Sequence, residues 1–324
     1  MKQILVMGGA GYIGSHTVKH LAEQGYSCVV ADNLIYGHRE AVPAGVPFEK
    51  ADLNEPASLE KLFRKYDFEA VLHFAAFAAV GESVADPQKY YHNNVVGTLN
   101  LLAVMKKYNV QKIVFSSTCA TYGEPQYTPI DEKHPQHPIN PYGRTKLMIE
   151  QAFADYAHAY GLKYIALRYF NAAGAAADGA IGEAHNPETH LIPIVLEAIS
   201  GKRKCLKIFG TDYPTPDGTC LRDYIHVEDL AEAHRLALEK LDEYSGYINL
   251  GTGVKTSVKE IVTAAEKVTG KKCPVEIAPR RAGDPAELYA ANGKAETVLG
   301  WKPQYLDIAK IIDTAWNWEK NRRY

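Results

Sequence analysis

The run Ile4-Leu5-Val6-Met7 leads directly into Gly8-Gly9-Ala10-Gly11-Tyr12-Ile13-Gly14, a G-x-x-G-x-x-G pattern at a strand-to-helix turn. The helical pattern behind it, after Ser15, puts Val18, Leu21 and Ala22 on one face. Glycine suits each position: Gly8 for the tight reversal, Gly11 for an unhindered backbone, Gly14 for close packing of helix on strand. The helix start then presents N–H groups and a positive dipole end to a pyrophosphate. Turns of this kind belong to βαβ units. Apolar runs at Cys28–Ala31, Val71–Ala75, Ile113–Phe115 and Tyr164–Leu167 alternate with helical patterns in the same way. The spacing predicts an α/β protein with a Rossmann-type, doubly wound parallel sheet.

After about Asn171 the texture changes. Gly, Pro and Asp punctuate residues 174–189 and 210–220, and the alternation becomes irregular. Two domains are expected: residues 1–170 as a dinucleotide-binding Rossmann domain and 171–324 as a smaller α/β substrate-binding domain. The stretch at about 225–250 reads again as helix then strand (Leu230–Leu241, Tyr247–Leu250) and could return to the first domain.

Bulk properties narrow the function. The chain has 324 residues, 46% of them hydrophobic, enough for a large core. Thirty-six basic against 38 acidic residues give a net charge of -2, which removes the electrostatic case for nucleic acid. No apolar run reaches membrane-helix length, and the N-terminal residues enter a strand-like run with no signal-peptide pattern. Five cysteines without a C-x-x-C point to free thiols in a reducing, cytoplasmic compartment. His134 and His137 form an H-x-x-H, but Pro135 and Pro138 break any helix there. A surface loop is expected, and no metal site.

Asp32 lies at the end of the second strand-like run. A carboxylate there accepts hydrogen bonds from the adenosine ribose and repels a 2′-phosphate, favouring NAD over NADP; a turn-capping Asp is the alternative. Asp52, after the next strand-like stretch, is placed to meet the adenine edge.

Tyr142-Gly143-Arg144-Thr145-Lys146 spans one helical turn after Pro141, so Tyr142 and Lys146 share a face. A tyrosine hydroxyl ordinarily ionises near 10. A neighbouring ammonium and a positive nicotinamide ring both favour the phenolate, and bringing it to about 7 corresponds to roughly 4 kcal/mol. Ser116-Ser117-Thr118 follow the run Ile113-Val114-Phe115, where open α/β sheets bind ligands. One of these hydroxyls can hydrogen-bond a reacting oxygen while Tyr142 takes or gives its proton. Serines after a strand are also ordinary turn formers.

With these residues in view, the chain resembles the extended short-chain dehydrogenases/reductases and, over nearly its whole length, the UDP-glucose 4-epimerase family. The resemblance is carried by GGAGYIGS at 8–15, Asp32-Asn33, HFAAFAAVGES at 73–83, NNVVGT at 93–98, SSTCATYGEP at 116–125 and PYGRTK at 141–146. It continues through LRYFNAAGA at 167–175, FGTDYPTPDGTCLRDYIHVEDLA at 209–231, RRAGDPAEL at 280–288 and LGWKP at 299–303.

The resemblance implies that Tyr142 is the catalytic base, with Lys146 its partner and Thr118 the adjacent hydroxyl. It also implies that Tyr12, Ile13, Asn33, Leu53, Phe74, Ala75, Ala76, Asn93 and Phe170 join the glycines, Asp32, Asp52, Tyr142 and Lys146 in holding NAD. Asn171, Leu191, Phe209, Arg222, Arg281, Asp284 and Leu288 would hold a UDP-sugar together with Thr118 and Tyr142. Two positions depart from the family: Thr118 replaces a frequent serine, and Ala78 stands where some relatives carry a lysine near the cofactor phosphates.

The implied reaction is NAD-dependent epimerisation at C4 of UDP-hexoses through a 4-keto sugar. Leucine at 288 leaves more room at the sugar's 2-substituent than the tyrosine that restricts it in the family, so UDP-GlcNAc and UDP-GalNAc are expected substrates too. A 4,6-dehydratase needs an Asp-Glu pair where Cys119-Ala120 stand. The same fold could also serve a dehydrogenase using free cofactor or, in a different class, a non-enzymatic dinucleotide sensor. Helical patterns at 89–108 and 145–160 are apolar over most of their circumference, which motivates a homodimer through a helical bundle.

Overall fold

The computed structural model describes residues 2–281 and 283–324. The chain begins with β1 (Gln3–Met7), α1 (Tyr12–Glu23), β2 (Cys28–Asp32), β3 (Phe48–Lys50), α2 (Pro56–Lys65) and β4 (Phe68–His73). Helices α3 (Val80–Ala85), α4 (Pro87–Tyr90) and α5 (Gly97–Lys107) lead to β5 (Lys112–Thr118), α6 (Pro141–Tyr160) and β6 (Lys163–Tyr169). Then come β7 (Asn171–Ala173), α7 (Leu191–Ser200), β8 (Leu206–Phe209), β9 (Leu221–His226), α8 (Val227–Lys240) and β10 (Gly246–Leu250). The chain closes with β11 (Lys255–Ser257), α9 (Val258–Thr269), β12 (Val275–Ala278), β13 (Glu287–Leu288), α10 (Gly293–Leu299) and α11 (Ile308–Asn321).

Seven strands form one parallel sheet in the order β10-β6-β5-β4-β1-β2-β3. The doubly wound α/β architecture expected from the spacing is thereby met. Alternation along each strand feeds two cores. Ile4, Val6, Val30, Leu72, Val114 and Ile165 face one side, where Val18 and Leu21 of α1 and Leu230 and Ala233 of α8 cover them. Leu5, Met7, Val29, Val71, Ile113 and Phe115 face the other, under Leu59 of α2, Leu101 and Met105 of α5, and Ile149 and Phe153 of α6. Strands buried on both faces need this near-continuous apolar run. Ala22, expected on the buried face of α1, is exposed.

The order of connection reverses between β1 and β4. Beyond the carboxyl ends of strands at such a reversal is the place where doubly wound sheets bind ligands. β9 is the centre of a smaller sheet, pairing with β7, antiparallel β11 and β13, while β12 pairs with β8. A separate core of Ile192, Val195, Leu196, Leu206, Ile261 and Ile312 supports this second layer. β10 and α8 lie with the large sheet although they fall late in the chain.

The expected helix at 89–108 forms as α4, a π-helical stretch Tyr91–Val96, and α5 in direct succession. The extra residue per turn in such a stretch re-aims side chains and is frequent at functional sites. Here it carries Asn93 and Asn94. The expected 145–160 helix starts earlier, at Pro141, because the Asn140 side chain caps it by accepting from Gly143 N at 2.8 Å. Among the described residues no helix is long and apolar enough to cross a membrane.

Candidate active site

The glycine turn of the sequence is a cradle that only glycine can line. Gly8 has φ +79°, and a Cβ there would lie 2.5 Å from the Ala75 nitrogen. A Cβ on Gly14 would lie 2.3 Å from the Gly8 carbonyl oxygen. Gly11 caps α1 without any side-chain acceptor, which leaves the first-turn N–H groups, those of Tyr12 and Ile13 among them, for an anion. These features fit the pyrophosphate of a dinucleotide.

Asp32 ends β2, buried, with both carboxylate oxygens engaged by backbone: Oδ2 accepts from Ala10 N at 3.0 Å and Oδ1 from Leu34 N at 2.8 Å. Burial raises its pKa and these N–H bonds oppose the rise. The carboxylate therefore braces the glycine turn and caps its own turn, with a second lone pair on each oxygen left for a ribose. Asn33 Nδ2 donates to Asp52 Oδ2 at 2.9 Å, and Asp52 Oδ1 accepts from Asn54 N at 2.8 Å. Leu53 is buried beneath them against Gly97. Phe74 N and Ala75 N both donate to the Met7 carbonyl, at 2.8 and 3.1 Å, holding the end of β4 beside the cradle. Ala76 follows, half-buried, and Ala78 is exposed. Asn93 Nδ2 donates to Asn94 Oδ1 at 3.0 Å. Phe170 is buried between β6 and β7.

Ser116, Ser117 and Thr118 are the last three residues of β5 and point different ways. Ser116 Oγ pairs with the Tyr169 hydroxyl, and Ser117 Oγ donates to Glu150 Oε1 at 2.6 Å. Thr118 is the one that faces Tyr142. Gly143 makes this approach possible, since a Cβ there would lie 2.4 Å from the Ala120 carbonyl oxygen. Lys146 Nζ donates to the Ser116 carbonyl at 2.7 Å, lies 4.6 Å above the Phe115 ring and is 5.9 Å from the centre of the Tyr142 ring.

In the protein without a dinucleotide, burial pushes the Tyr142 phenol up to about 12, opposed by the Thr118 hydroxyl. Burial also drops the Lys146 ammonium to about 7, with Glu150 opposing. The ammonium is held by the Ser116 carbonyl within 5.9 Å of the centre of the Tyr142 ring, so the two groups are withdrawn from water side by side. A positive nicotinamide ring beside the phenol would favour its deprotonated form.

On the second layer, Asn171 Nδ2 donates to the Asp223 carbonyl at 2.9 Å. Arg222 donates to the Leu221 and Pro285 carbonyls, both at 2.9 Å, and its other terminal nitrogen lies 3.5 Å from Asp284 Oδ1. The Arg281 guanidinium sits 4.4 Å above the Phe209 ring. Leu288 pairs with Arg222 across β13 and β9 and packs half-buried against the cluster of Cys119, Tyr122, Ile130, Phe170 and Ala290. That cluster includes Cys119, the residue that follows Thr118. Leu191, the first residue of α7, packs at the margin of the second core.

Several site residues are not evident from sequence pattern. Glu150 and Arg168 form a fully buried ion pair, Arg168 Nε to Oε1 at 2.9 Å and the terminal nitrogen to Oε2 at 2.6 Å. Arg168 also reaches the Tyr122 hydroxyl at 2.9 Å, which donates to Asn249 Oδ1 at 2.7 Å. This network ties α6 to β5, β6 and β10 and so positions Tyr142 and Lys146. Its one visible signal in the residues is Glu150, a turn beyond Lys146. Asn94 bridges the Phe77 backbone and the Thr145 hydroxyl. A group of Glu183, His185, Glu188 and His190 gathers before α7. Burial opposes the charged His185 imidazole, yet Glu183 and Glu188 carry it up to about 9. His134, expected on a surface loop, is buried, and its Nε2 accepts from Gln126 N at 2.9 Å.

The family described as "NAD dependent epimerase/dehydratase family" matches residues 4–251. The UDP-glucose 4-epimerase of Lacticaseibacillus casei is 53% identical over 320 residues, covering 98% of this chain and 97% of the relative. The NAD complex of UDP-glucose 4-epimerase from Brucella ovis superposes with a TM-score of 0.95 at 54% identity, covering 98% of each chain. The UDP-Glc/GlcNAc 4-epimerase of Campylobacter jejuni superposes with a TM-score of 0.88 at 44% identity, covering 99% of this chain and 100% of that one.

Proposed function

The chain belongs to the NAD dependent epimerase/dehydratase family, and from that premise we propose that it inverts C4 of UDP-hexoses, interconverting UDP-glucose and UDP-galactose through a 4-keto sugar. Its cofactor is NAD, which when bound supplies the hydride acceptor and donor at C4. The observation that carries the reading is one constellation. The Tyr142 phenol, the Thr118 hydroxyl and the Lys146 ammonium meet at the carboxyl end of β5, in the sheet that carries the glycine cradle.

Each residue has a distinct task. The Tyr142 oxygen takes the proton of the 4-hydroxyl and later returns it, a role for which the deprotonated phenol is needed. Thr118 donates or accepts at the same sugar oxygen and fixes its position. Lys146 adds positive charge that favours the phenolate, and the Glu150–Arg168 network keeps its helix in place. Arg222 and Arg281 are suited to the diphosphate because a guanidinium meets phosphate oxygens bidentately. The sugar itself needs slack, since it must present either face of C4. Residues 171–324, without α8 and β10, would form the UDP-sugar-binding part. Dehydration is disfavoured because neither Cys119 nor Ala120 offers an acid or base of the required kind; burial pushes the Cys119 thiol up to about 12.

Leu288 extends the reading to UDP-N-acetylhexosamines: a half-buried leucine beside Cys119 and Phe170 leaves more space than a tyrosine would. The five cysteines are free, four of them buried, which suits a reducing cytoplasmic setting. A homodimer is the assembly we favour. Val96 just before α5, Leu99 within it and Met148 on α6 remain exposed on helices whose other faces pack against the sheet.

The test needs no added cofactor. Purified protein given UDP-galactose should form UDP-glucose, and Tyr142→Phe should lower turnover by about 10²–10⁴-fold while the bound dinucleotide is retained. Stoichiometric consumption of added NAD, or full activity of Tyr142→Phe, would overturn the proposal.

A further inference from the structure

The segment Glu183-Ala184-His185-Asn186-Pro187-Glu188-Thr189-His190 joins β7 to α7 and carries two carboxylates and two imidazoles that the reaction does not use. One donor atom from each of Glu183, His185, Glu188 and His190 lies within 4.8 Å of all the others. His190 Nδ1 is 2.8 Å from Glu183 Oε1 and 2.9 Å from Glu188 Oε1. His185 Nδ1 is 3.0 Å from Glu183 Oε1 and 3.8 Å from Glu188 Oε2. Donors bound to a tetrahedral zinc-sized ion at about 2.0–2.2 Å stand about 3.3–3.5 Å from one another. The observed separations bracket that value, so closing the four groups onto one ion requires only small side-chain movements.

The surroundings make the cluster hard to explain as surface decoration. The side chains of Glu183 and Glu188 are each only 6% exposed. Among the described residues neither carboxylate pairs with a lysine or an arginine. Two carboxylates this far out of water need a balancing charge, which the facing His185 and His190 imidazoles supply when protonated and which a bound ion would supply in place of those protons. Glu188 Oε1 also accepts from the Thr189 and His190 backbone nitrogens, at 2.7 and 2.8 Å, which orients it but adds no full charge. Both imidazoles turn the same nitrogen, Nδ1, inward, one of the two ring nitrogens that can ligate a metal. His190 is about half exposed, leaving an entry path for an ion.

We propose that Glu183, His185, Glu188 and His190 form a four-coordinate site for a divalent transition ion of the zinc class. Two nitrogen and two carboxylate oxygen donors suit zinc, whereas calcium and magnesium require six or more oxygen ligands or retained waters. The site lies against the start of α1: the His185 ring meets Tyr12 edge-on at 6.2 Å, and the Tyr12 hydroxyl donates to the Gly174 carbonyl at 2.6 Å. An ion here ties the approach to α7 to the dinucleotide cradle. Its role is structural, linking the two layers of the molecule without entering the chemistry.

The experiment uses untagged full-length protein, stripped with a chelator and titrated with zinc chloride alone. Calorimetry and elemental analysis after gel filtration should give about one zinc per chain, and cobalt(II) in its place should show the visible absorption of a four-coordinate ion. The His185→Ala/His190→Ala double variant should bind zinc more than about a hundredfold more weakly, with its fold checked by circular dichroism. If that variant does not fold, Glu188→Gln, which keeps the shape of the side chain, should show a weakened affinity instead. Zinc far below one per chain in the wild type, or unchanged affinity in the folded variants, would overturn the site and leave the four groups as ion pairs only.

Discussion

Lys146 shows how one residue sets stability and chemistry against each other. Its ammonium is the disfavoured form in the fold, so its pKa falls from the ordinary 10.5 to about 7. Between those values the unfolded chain holds the extra proton, and stability of the cofactor-free protein should climb as pH rises through that window. Below about 7 both states are charged and the whole penalty persists. Lys146→Met should therefore raise the thermal midpoint at pH 6, by an amount that shrinks toward pH 10, while abolishing turnover; a lower midpoint at pH 6 would contradict this. At the substrate end, Leu288→Tyr should lose epimerisation of UDP-N-acetylglucosamine and keep that of UDP-galactose. Equal failure of wild type and variant on the N-acetyl sugar would dispose of the idea.

At the scale of elements, the decisive contact is between the first turn of α6 and the turn after β5. Replacing a helical glycine by alanine ordinarily gains up to about 1 kcal/mol. At Gly143 the new Cβ would stand 2.4 Å from the Ala120 carbonyl oxygen, and a backbone oxygen cannot rotate away. Overpacking of this kind costs about 1–3 kcal/mol, so the clash outweighs the propensity. Gly143→Ala should be less stable to denaturant and should turn over more slowly, because Tyr142 and Thr118 are pushed apart. An unchanged midpoint and rate would show that the helix start is free to yield. The π-helical stretch at Tyr91–Val96 is a second such device, since it delivers Asn94 to Phe77 and Thr145.

For the whole molecule, a group of the exposed apolar side chains falls on the helices that follow β4 and β5. Val96, Leu99 and Met148 are 41%, 39% and 44% exposed on elements whose opposite face is buried against the sheet. A face of this sort is stabilised by a second copy, because the apolar area left in water shrinks. Sedimentation should find a dimer at micromolar concentration, and Leu99→Glu combined with Met148→Glu should give monomer with the dinucleotide still bound. Wild-type protein that sediments only as monomer would remove the proposal.

Local physics made much of this protein legible in its residues alone. The glycine turn, the alternating strands and the Tyr142–Lys146 spacing each depend on neighbours within a few positions, and periodicity reports such neighbours directly. The desolvation of Tyr142 was not legible, because it depends on how much water the packed helix and strand exclude. The same holds for His134, whose neighbouring prolines suggest a loop but which the preceding loop folds over, with Tyr122, Gln126 and Tyr127 against its ring. Glu150 and Arg168, eighteen positions apart, meet only because α6 lies across β6. Tertiary structure decided what became desolvated and which charges met, and it did so because burial and electrostatic pairing are properties of space and not of sequence order.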